Sequence, residues 1–406
     1  MRPLLSVMLS ALAISWNAHA TEAIDRFMQK FIADHVVPGA SVAVGRGDRL
    51  LYAKGFGWAE KESNSPVRPD SLFRIASISK PITAVAIINL AQSGQLDLDD
   101  PVAKHLRQMP KYRRHSGYDK RIDEITIRDL LRHTGGWDRS QDFDPMGLTG
   151  HLRTAEALKL NPPIDTRDYI TFMFRRPLQF EPGSRFAYSN FGYLLLGRII
   201  EDTTGSSYEE YVQQKILAPI GISAMQIGYL PKEKRAPNEV AYYDHKNRTA
   251  TAPFGPHRGK IVPFPYARPM QVMDAHGGWI ASAVDLVRFA ASIDKTLEPE
   301  SIATMFDRQP GRLGLDRSGK PKAAFYALGW MVRPVKSGAN HWHSGSIQGT
   351  STLLVRRHDG YRWAILFNTN SNQDDKNLTS LIDGPFHGVI NSVKAWPAGD
   401  LFTKFD

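Results

Sequence analysis

The sequence predicts an α/β (α+β) fold: one antiparallel sheet built from both chain ends, with flanking helices, plus a mostly helical inserted domain. Three observations predict it. Near the start, "GASVAVGRGDRLLYAKGFGWAE" (39–60) alternates and turns at Gly45-Arg46-Gly47-Asp48, the pattern of a hairpin. Near the end, "YALGWMVRP", "GTSTLLVRR" and "YRWAILFNT" are β-branched or aromatic and separated by turns. Between these two strand regions the chain is punctuated for helices, so a sheet shared by the two ends and broken by a helical insertion accommodates every segment. The boundaries read as residues 21–76 and 270–406 for the sheet domain and 77–269 for the helical domain, with the active-site cleft at the junction.

Taken in order, the first twenty residues have an early Arg2, an apolar run from Leu4 to Trp16 and a small-x-small ending at Ala18-His19-Ala20. That is the form of a secretory signal peptide cleaved after Ala20, which implies a secreted or periplasmic protein with no stable membrane span once the signal is removed. The apolar run is short for a membrane anchor, the rival reading. From Glu22 to Val36, the residues Ile24, Phe27, Met28, Phe31 and Ile32 recur at helical spacing. The stretch "FRIASISKPITAVAIINLAQSG" (73–94) is apolar on nearly all sides and predicts a central, buried helix that stops at Gly94. Asp100-Pro101 reads as a cap and first turn, Thr126 with Asp129 as a capping box, and Ser282 with Asp285 as another ahead of "AVDLVRFAASIDKTL". A final helix spans about Leu378 to Val393.

Composition narrows the function classes. With 42% hydrophobic and 23% charged residues over 406 positions, the chain has the makeup of a globular protein able to bury a large core. The net charge of +10 is spread along the chain without a long basic run, which argues against nucleic acid as a partner. There are 0 cysteines, which removes disulfides, a thiol nucleophile and thiolate metal ligands.

Ser77 and Lys80 begin the central apolar helix. Positions i and i+3 share a helix face, so the amine reaches the hydroxyl; a desolvated lysine with a lowered pKa supplies the base that a serine nucleophile needs. The helix N-terminus adds N–H donors and a positive end where negative charge develops in acyl transfer. Ser-x-x-Lys alone is a weak signal, as a second copy at Ser292 and Lys295 shows; that copy lies at a helix end of the wrong polarity, where lysine caps carbonyls.

Two further stretches strengthen the reading. "FAYSNFGY" places Tyr188 and Asn190 two apart in a turn ahead of an apolar helix. If Tyr188 lies beside Lys80, the ammonium favours a phenolate able to carry protons, and Asn190 orients the lysine or a substrate amide. "HWHSGSIQGTSTLL" leads His343, Ser344 and Gly345 into a strand, where Gly345 admits a close substrate backbone and the N–H of Ser346 faces that of Ser77 as an oxyanion donor.

In this order, Ser-x-x-Lys, Tyr-x-Asn and His-Ser-Gly resemble the penicillin-recognising serine hydrolases, nearest the branch of class C β-lactamases, D-alanyl-D-alanine carboxypeptidases, D-aminopeptidases and β-lactamase-like esterases. "ITIRDLLRHTGGW" and "GGWIASAVDLVRFA" share the likeness, which covers nearly the whole mature chain. The resemblance implies a β-lactamase/transpeptidase-like fold with the serine in a cleft between sheet and helices. It implies Ser77 as the acylated nucleophile and Lys80 with Tyr188 as the acid/base pair. Asn190, His343, Ser344 and Gly345 would bind and orient substrate, and the Ser77 and Ser346 N–H groups would form the oxyanion hole. The departure is His343: many β-lactamases carry lysine there, whereas a histidine is mostly neutral at pH 7, which disfavours efficient β-lactam hydrolysis.

No cofactor and no metal are expected; His341 and His343 share a strand face, but packing or cleft lining accounts for them without a carboxylate cluster nearby. His133 reads as structural, in a loop with capping chemistry, and the proline- and aromatic-rich stretch 253–269 as a cleft wall or a surface loop. The expected function is an exported serine hydrolase that cleaves ester or amide bonds of a small-molecule or peptide substrate, such as D-amino-acid peptides or small esters. The alternatives are a β-lactamase and, from another class, a catalytically silent binding protein with the same fold. Oligomeric state is not written in the sequence.

Overall fold

The computed structural model describes residues 21–230, 232–253, 255–268 and 270–405. The signal-peptide expectation falls on residues 1–20, outside the described residues. Both ends of the described chain feed one eight-stranded sheet, in the order 65–66, 49–60, 39–46, 361–367, 350–356, 338–347, 331–335, 325–326. Every neighbouring pair is antiparallel, and the central pairing matches Ala40 with Phe367 through Arg46 with Tyr361. The anticipated hairpin turns through Gly47, whose φ of +58° suits a residue without Cβ.

Helices cover both faces of the sheet, which is why strands Thr350–Arg356 and Tyr361–Phe367 are buried at every position. On one face Ala40, Val42, Val44, Ile365 and Phe367 pack with Ile24, Met28 and Phe31 from helix 21–34 and with Ile382 and Phe386 from helix Leu378–Ser392. On the other, Ala43, Ala364 and Leu354 join a larger core that runs on through helix Ala283–Thr296 into the central helix and the helical segments beyond it.

The central helix, Ser79–Gln92, buries every residue from Ser79 to Ile88 and has almost no amphipathic character, as its all-round apolar sequence foretold. It ends just before Gly94, which holds a φ of +71°. The Thr126/Asp129 and Ser282/Asp285 capping boxes both form. Asp100 does not cap its helix: the N-cap of Val102–His105 is Pro101, and the Asp100 carboxylate binds Lys104 and His105 instead. In "YALGWMVRP" regular pairing resumes only at Met331, because Gly329, with φ +80°, turns the chain against Lys80 and Ala84.

Two local features set the stage for the site. The short strand Phe73–Arg74 pairs with Trp279–Ala281 and leads into a single 3₁₀ turn, Ala76–Ile78, ahead of the central helix. Ala76 is fully buried in the left-handed region at φ 47°, an uncommon conformation for a residue with a side chain. Among the described residues no helix is long and apolar enough to cross a membrane.

Candidate active site

Ser77 sits in the 3₁₀ turn, and Lys80 is the second residue of the helix behind it. Eclipsing of i and i+3 across this tight turn brings Lys80 Nζ to 3.1 Å from Ser77 Oγ. From a segment 111 residues further on, Tyr188 Oη donates to the same oxygen at 2.9 Å. Amine and phenol thus meet on one hydroxyl.

Lys80 is 0% exposed, and burial drives its pKa well below the usual lysine value; Asp144 opposes that shift and Arg139 adds to it. In the neutral form that this shift favours, the amine has two N–H donors and one lone pair. Its partners at 2.8 and 2.7 Å, Asn190 Oδ1 and His276 O, can only accept. Both N–H groups are therefore committed, and the lone pair is left facing the Ser77 hydroxyl. His276 O is offered by a π-helical turn, Asp274–Gly278, an irregularity that aims a main-chain carbonyl sideways.

Asn190 is held in the orientation this requires. Its Nδ2 donates to Asp144 Oδ2 at 2.6 Å, so its Oδ1 must face the lysine. Asn190 is the first residue of helix Asn190–Thr204, capped by Ser189, rather than part of the turn ahead of it. Asp144 also accepts from Arg139 at 3.1 Å, and the Arg139 guanidinium lies 4.8 Å from the Tyr188 ring centre.

Burial raises the Tyr188 pKa, with the hydrogen bond to Ser77 opposing the shift, so Tyr188 rests as a phenol and not as the phenolate anticipated from a neighbouring ammonium. The reason is geometric as well: Lys80 Nζ approaches the face of the Tyr188 ring, 4.9 Å from its centre.

Strand Gly338–Ile347 closes the site. Ser77, Tyr188, Asn190, His343, Ser344 and Ser346 all line one cavity of about 510 Å³. His343 is buried, and that burial, with Lys80 nearby, holds its pKa at about 3, so the ring is neutral. Its Nδ1 donates to Ser344 O at 2.7 Å and its Nε2, 3.0 Å away, accepts from Tyr326 Oη. Gly345 does not face the cavity as an open gap for substrate: a Cβ there would meet Ile75 O at 2.2 Å and Thr352 Oγ1 at 2.4 Å. The missing side chain lets the strand press on the main chain that leads into Ser77. Thr352 Oγ1 fastens that contact by donating to Ile75 O at 2.9 Å.

Comparison with known proteins gives this geometry its kinship. The sequence model of the Beta-lactamase family matches residues 24–383. The chain belongs to the Beta-lactamase family.

This Beta-lactamase-family chain is 27% identical over 361 residues to Penicillin-binding protein 4* of Bacillus subtilis (strain 168), covering 87% of this chain and 72% of that one. It is 28% identical to Esterase EstB of Burkholderia gladioli, over 84% of this chain and 87% of the esterase. Among solved structures, the octameric penicillin-binding protein homologue from Pyrococcus abyssi superposes with a TM-score of 0.66 at 26% identity, covering 89% of this chain and 76% of that one. The resemblance to penicillin-recognising serine hydrolases read from three short motifs is thereby shown, and with it the β-lactamase/transpeptidase-like fold.

The other sequence candidates fall elsewhere in the family fold. Ser292 lies in helix Ala283–Thr296, and Lys295, instead of capping carbonyls, pairs with Asp48 at 3.0 Å on the surface. His341 stacks on Phe306 at 3.7 Å between ring centres. Among the described residues no group of three or more His, Cys, Asp or Glu is placed to hold a metal.

Sequence reasoning missed Asp144, whereas His133 has the structural, capping role read for it. His133 ends its helix at φ 60°, accepts the Ser189 N–H on Nδ1 at 3.1 Å, accepts the Ala187 N–H on its carbonyl at 2.8 Å, and packs 4.2 Å from the Tyr188 ring. It clasps the tyrosine loop from both sides. Its place in "LLRHTGG", directly after a capped helix, was the available signal; for Asp144 no local spacing exists.

Proposed function

We propose that this chain is a serine hydrolase that forms an acyl-enzyme on Ser77 while cleaving ester or amide bonds of small or peptide substrates, D-amino-acid peptides among them. The convergence of Lys80 Nζ and Tyr188 Oη on Ser77 Oγ at 3.1 and 2.9 Å carries the reading. The Ser77 hydroxyl proton passes to the Lys80 lone pair as Oγ bonds to the substrate carbonyl carbon. The N–H groups of Ser77 and Ser346 receive the oxyanion, in a site where no solvent need reorganise. As the carbonyl re-forms and the C–O or C–N bond breaks, the Tyr188 phenol protonates the leaving group and the Lys80 ammonium restores the phenol's proton. Water then attacks the acyl-serine as Lys80 takes one of its protons; the C–Oγ bond breaks, the Lys80 ammonium returns that proton to Ser77 Oγ, and the acid product leaves.

Kinship with an esterase and a penicillin-binding protein supports the class. The neutral His343 speaks against a β-lactamase, because it supplies no permanent cation to hold a β-lactam carboxylate. The silent-binder reading has against it a nucleophile, base and acid in register. For the N-terminal stretch we propose export with cleavage after Ala20, which mass determination of the mature protein checks.

The test is covalent labelling. A fluorophosphonate probe is expected to label the wild type and Ser292→Ala but not Ser77→Ala; equal labelling of all three removes Ser77 from the chemistry. Turnover of a p-nitrophenyl acyl ester against nitrocefin then separates an esterase from a β-lactamase.

A further inference from the structure

One cation in the cavity wall has no use in the scheme above. Arg268 follows the turn Phe264–Tyr266 and lines the same cavity as Ser77, yet among the described residues no hydrogen bond or ion pair reaches its guanidinium, and its Nε is buried without a partner. The nearby Arg74, which braces this loop, keeps two nitrogens without a hydrogen-bond partner but is tied by its third: it donates to Pro265 O at 2.7 Å and lies 4.1 Å from the Tyr242 ring centre. Arg268 has no such ties. The carboxylate acting on it is Asp144, whose oxygens already accept from Arg139, Asn190 and the Met146 N–H.

The wall therefore has a sign. Arg139 and Arg268 face one carboxylate, Asp144, while His343 is neutral and burial drives the Lys80 pKa down. A guanidinium with its donors uncommitted matches a carboxylate with two parallel hydrogen bonds.

We propose that Arg268 is the specificity residue of this site and that the substrate is an anionic ester or amide whose carboxylate it binds. The inference rests on the hydrolase reading above. Arg268 supplies the fixed positive charge that His343 does not, from a different wall of the cavity.

Three esters test it: neutral p-nitrophenyl butyrate, p-nitrophenyl hemiglutarate with the charge on the acyl part, and m-carboxyphenyl butyrate with the charge on the leaving group. The wild type is expected to prefer one anionic ester over the neutral one in kcat/KM by about tenfold or more, the scale of a charge-assisted hydrogen-bonded pair. The preference should reside in KM and weaken as salt rises. Whichever anionic ester is preferred identifies the side that carries the carboxylate. Arg268→Gln should bring the anionic-to-neutral ratio close to one, and Arg268→Lys should restore part of it. A wild-type ratio near one, or a ratio unaltered in Arg268→Gln that still labels with fluorophosphonate, overturns the proposal while leaving the hydrolase intact. Failure of all three esters together with absence of Ser77 labelling defeats the hydrolase reading, and this inference with it.

Discussion

In the proposed mechanism a single side chain decides when the site can act. Lys80 works as a base only when neutral, so kcat/KM should fall as pH drops through its lowered pKa and plateau above it. Asp144 raises that pKa and Arg139 lowers it. Asp144→Asn keeps an acceptor for Asn190 but removes the charge, so the acid limb should move to lower pH; Arg139→Gln should move it higher. An unmoved limb in both variants would assign it to another group. The same lysine links stability to pH. Between its lowered native pKa and the unfolded value of about 10.4, the unfolded chain holds one more proton than the native one, so stability gains with rising pH. Urea melts of wild type and Lys80→Met should diverge across that window in favour of wild type by about 1.4 kcal/mol per pH unit, and run parallel below it. Much of this chemistry was legible in advance, because Ser77 with Lys80 and Tyr188 with Asn190 are local spacings that helix and turn geometry convert directly into proximity. Asp144 was not, since nothing within a few residues marks it, and Arg268 was legible only as part of the stretch 253–269 read as a cleft wall or a surface loop; both join the site through long-range packing. The protonation state of Tyr188 was misjudged for a related reason: burial, which outweighs a neighbouring charge here, is not visible in a motif.

At the level of elements, Ser77, the proposed nucleophile, depends on a strand pressed against a turn. Strand Gly338–Ile347 reaches Ile75 and Ala76 because Gly345 has no side chain, and Thr352 from the next strand pins the Ile75 carbonyl. Gly345→Ala should destabilise by about 1–3 kcal/mol, the usual cost of overpacking, and should slow fluorophosphonate labelling more than its stability loss explains. Thermal melts alongside labelling rates check this, and a melt unchanged from wild type would mean the strand and turn separate freely. Helices were the more readable elements: both capping boxes and the all-round apolar central helix are written in consecutive residues. Strand ends and the π-helical turn at Asp274–Gly278 were not, because a tertiary bond from Lys80 to His276 O fixes the latter.

Over the whole molecule, the groups proposed to react come from residues 77–80, 188–190 and 343–346, three stretches united only by the finished fold. The larger core is continuous from the sheet residues Ala43 and Ala364 through the central helix to Leu196 in the helical stretch. One continuous core predicts one cooperative transition. Loss of labelling with urea is expected at the same midpoint as loss of far-UV ellipticity; an earlier loss of labelling would show the helical stretch loosening on its own. The sheet was foreseeable because its strands bracket the chain in sequence, whereas the second, three-stranded sheet escaped notice: its pieces are two or three residues long and scattered from 73 to 281.

Ala76 stands immediately before Ser77 in the chain. A residue with a methyl group, fully buried and left-handed just ahead of the nucleophile, is kept there only because its surroundings permit nothing else. The Ser77 oxygen, the proposed attacking atom, is thus preorganised: its freedom was surrendered when the chain folded, not when a substrate docks. An arriving carbonyl finds the serine already aimed, and its binding energy can go to the reaction instead of to arranging the enzyme.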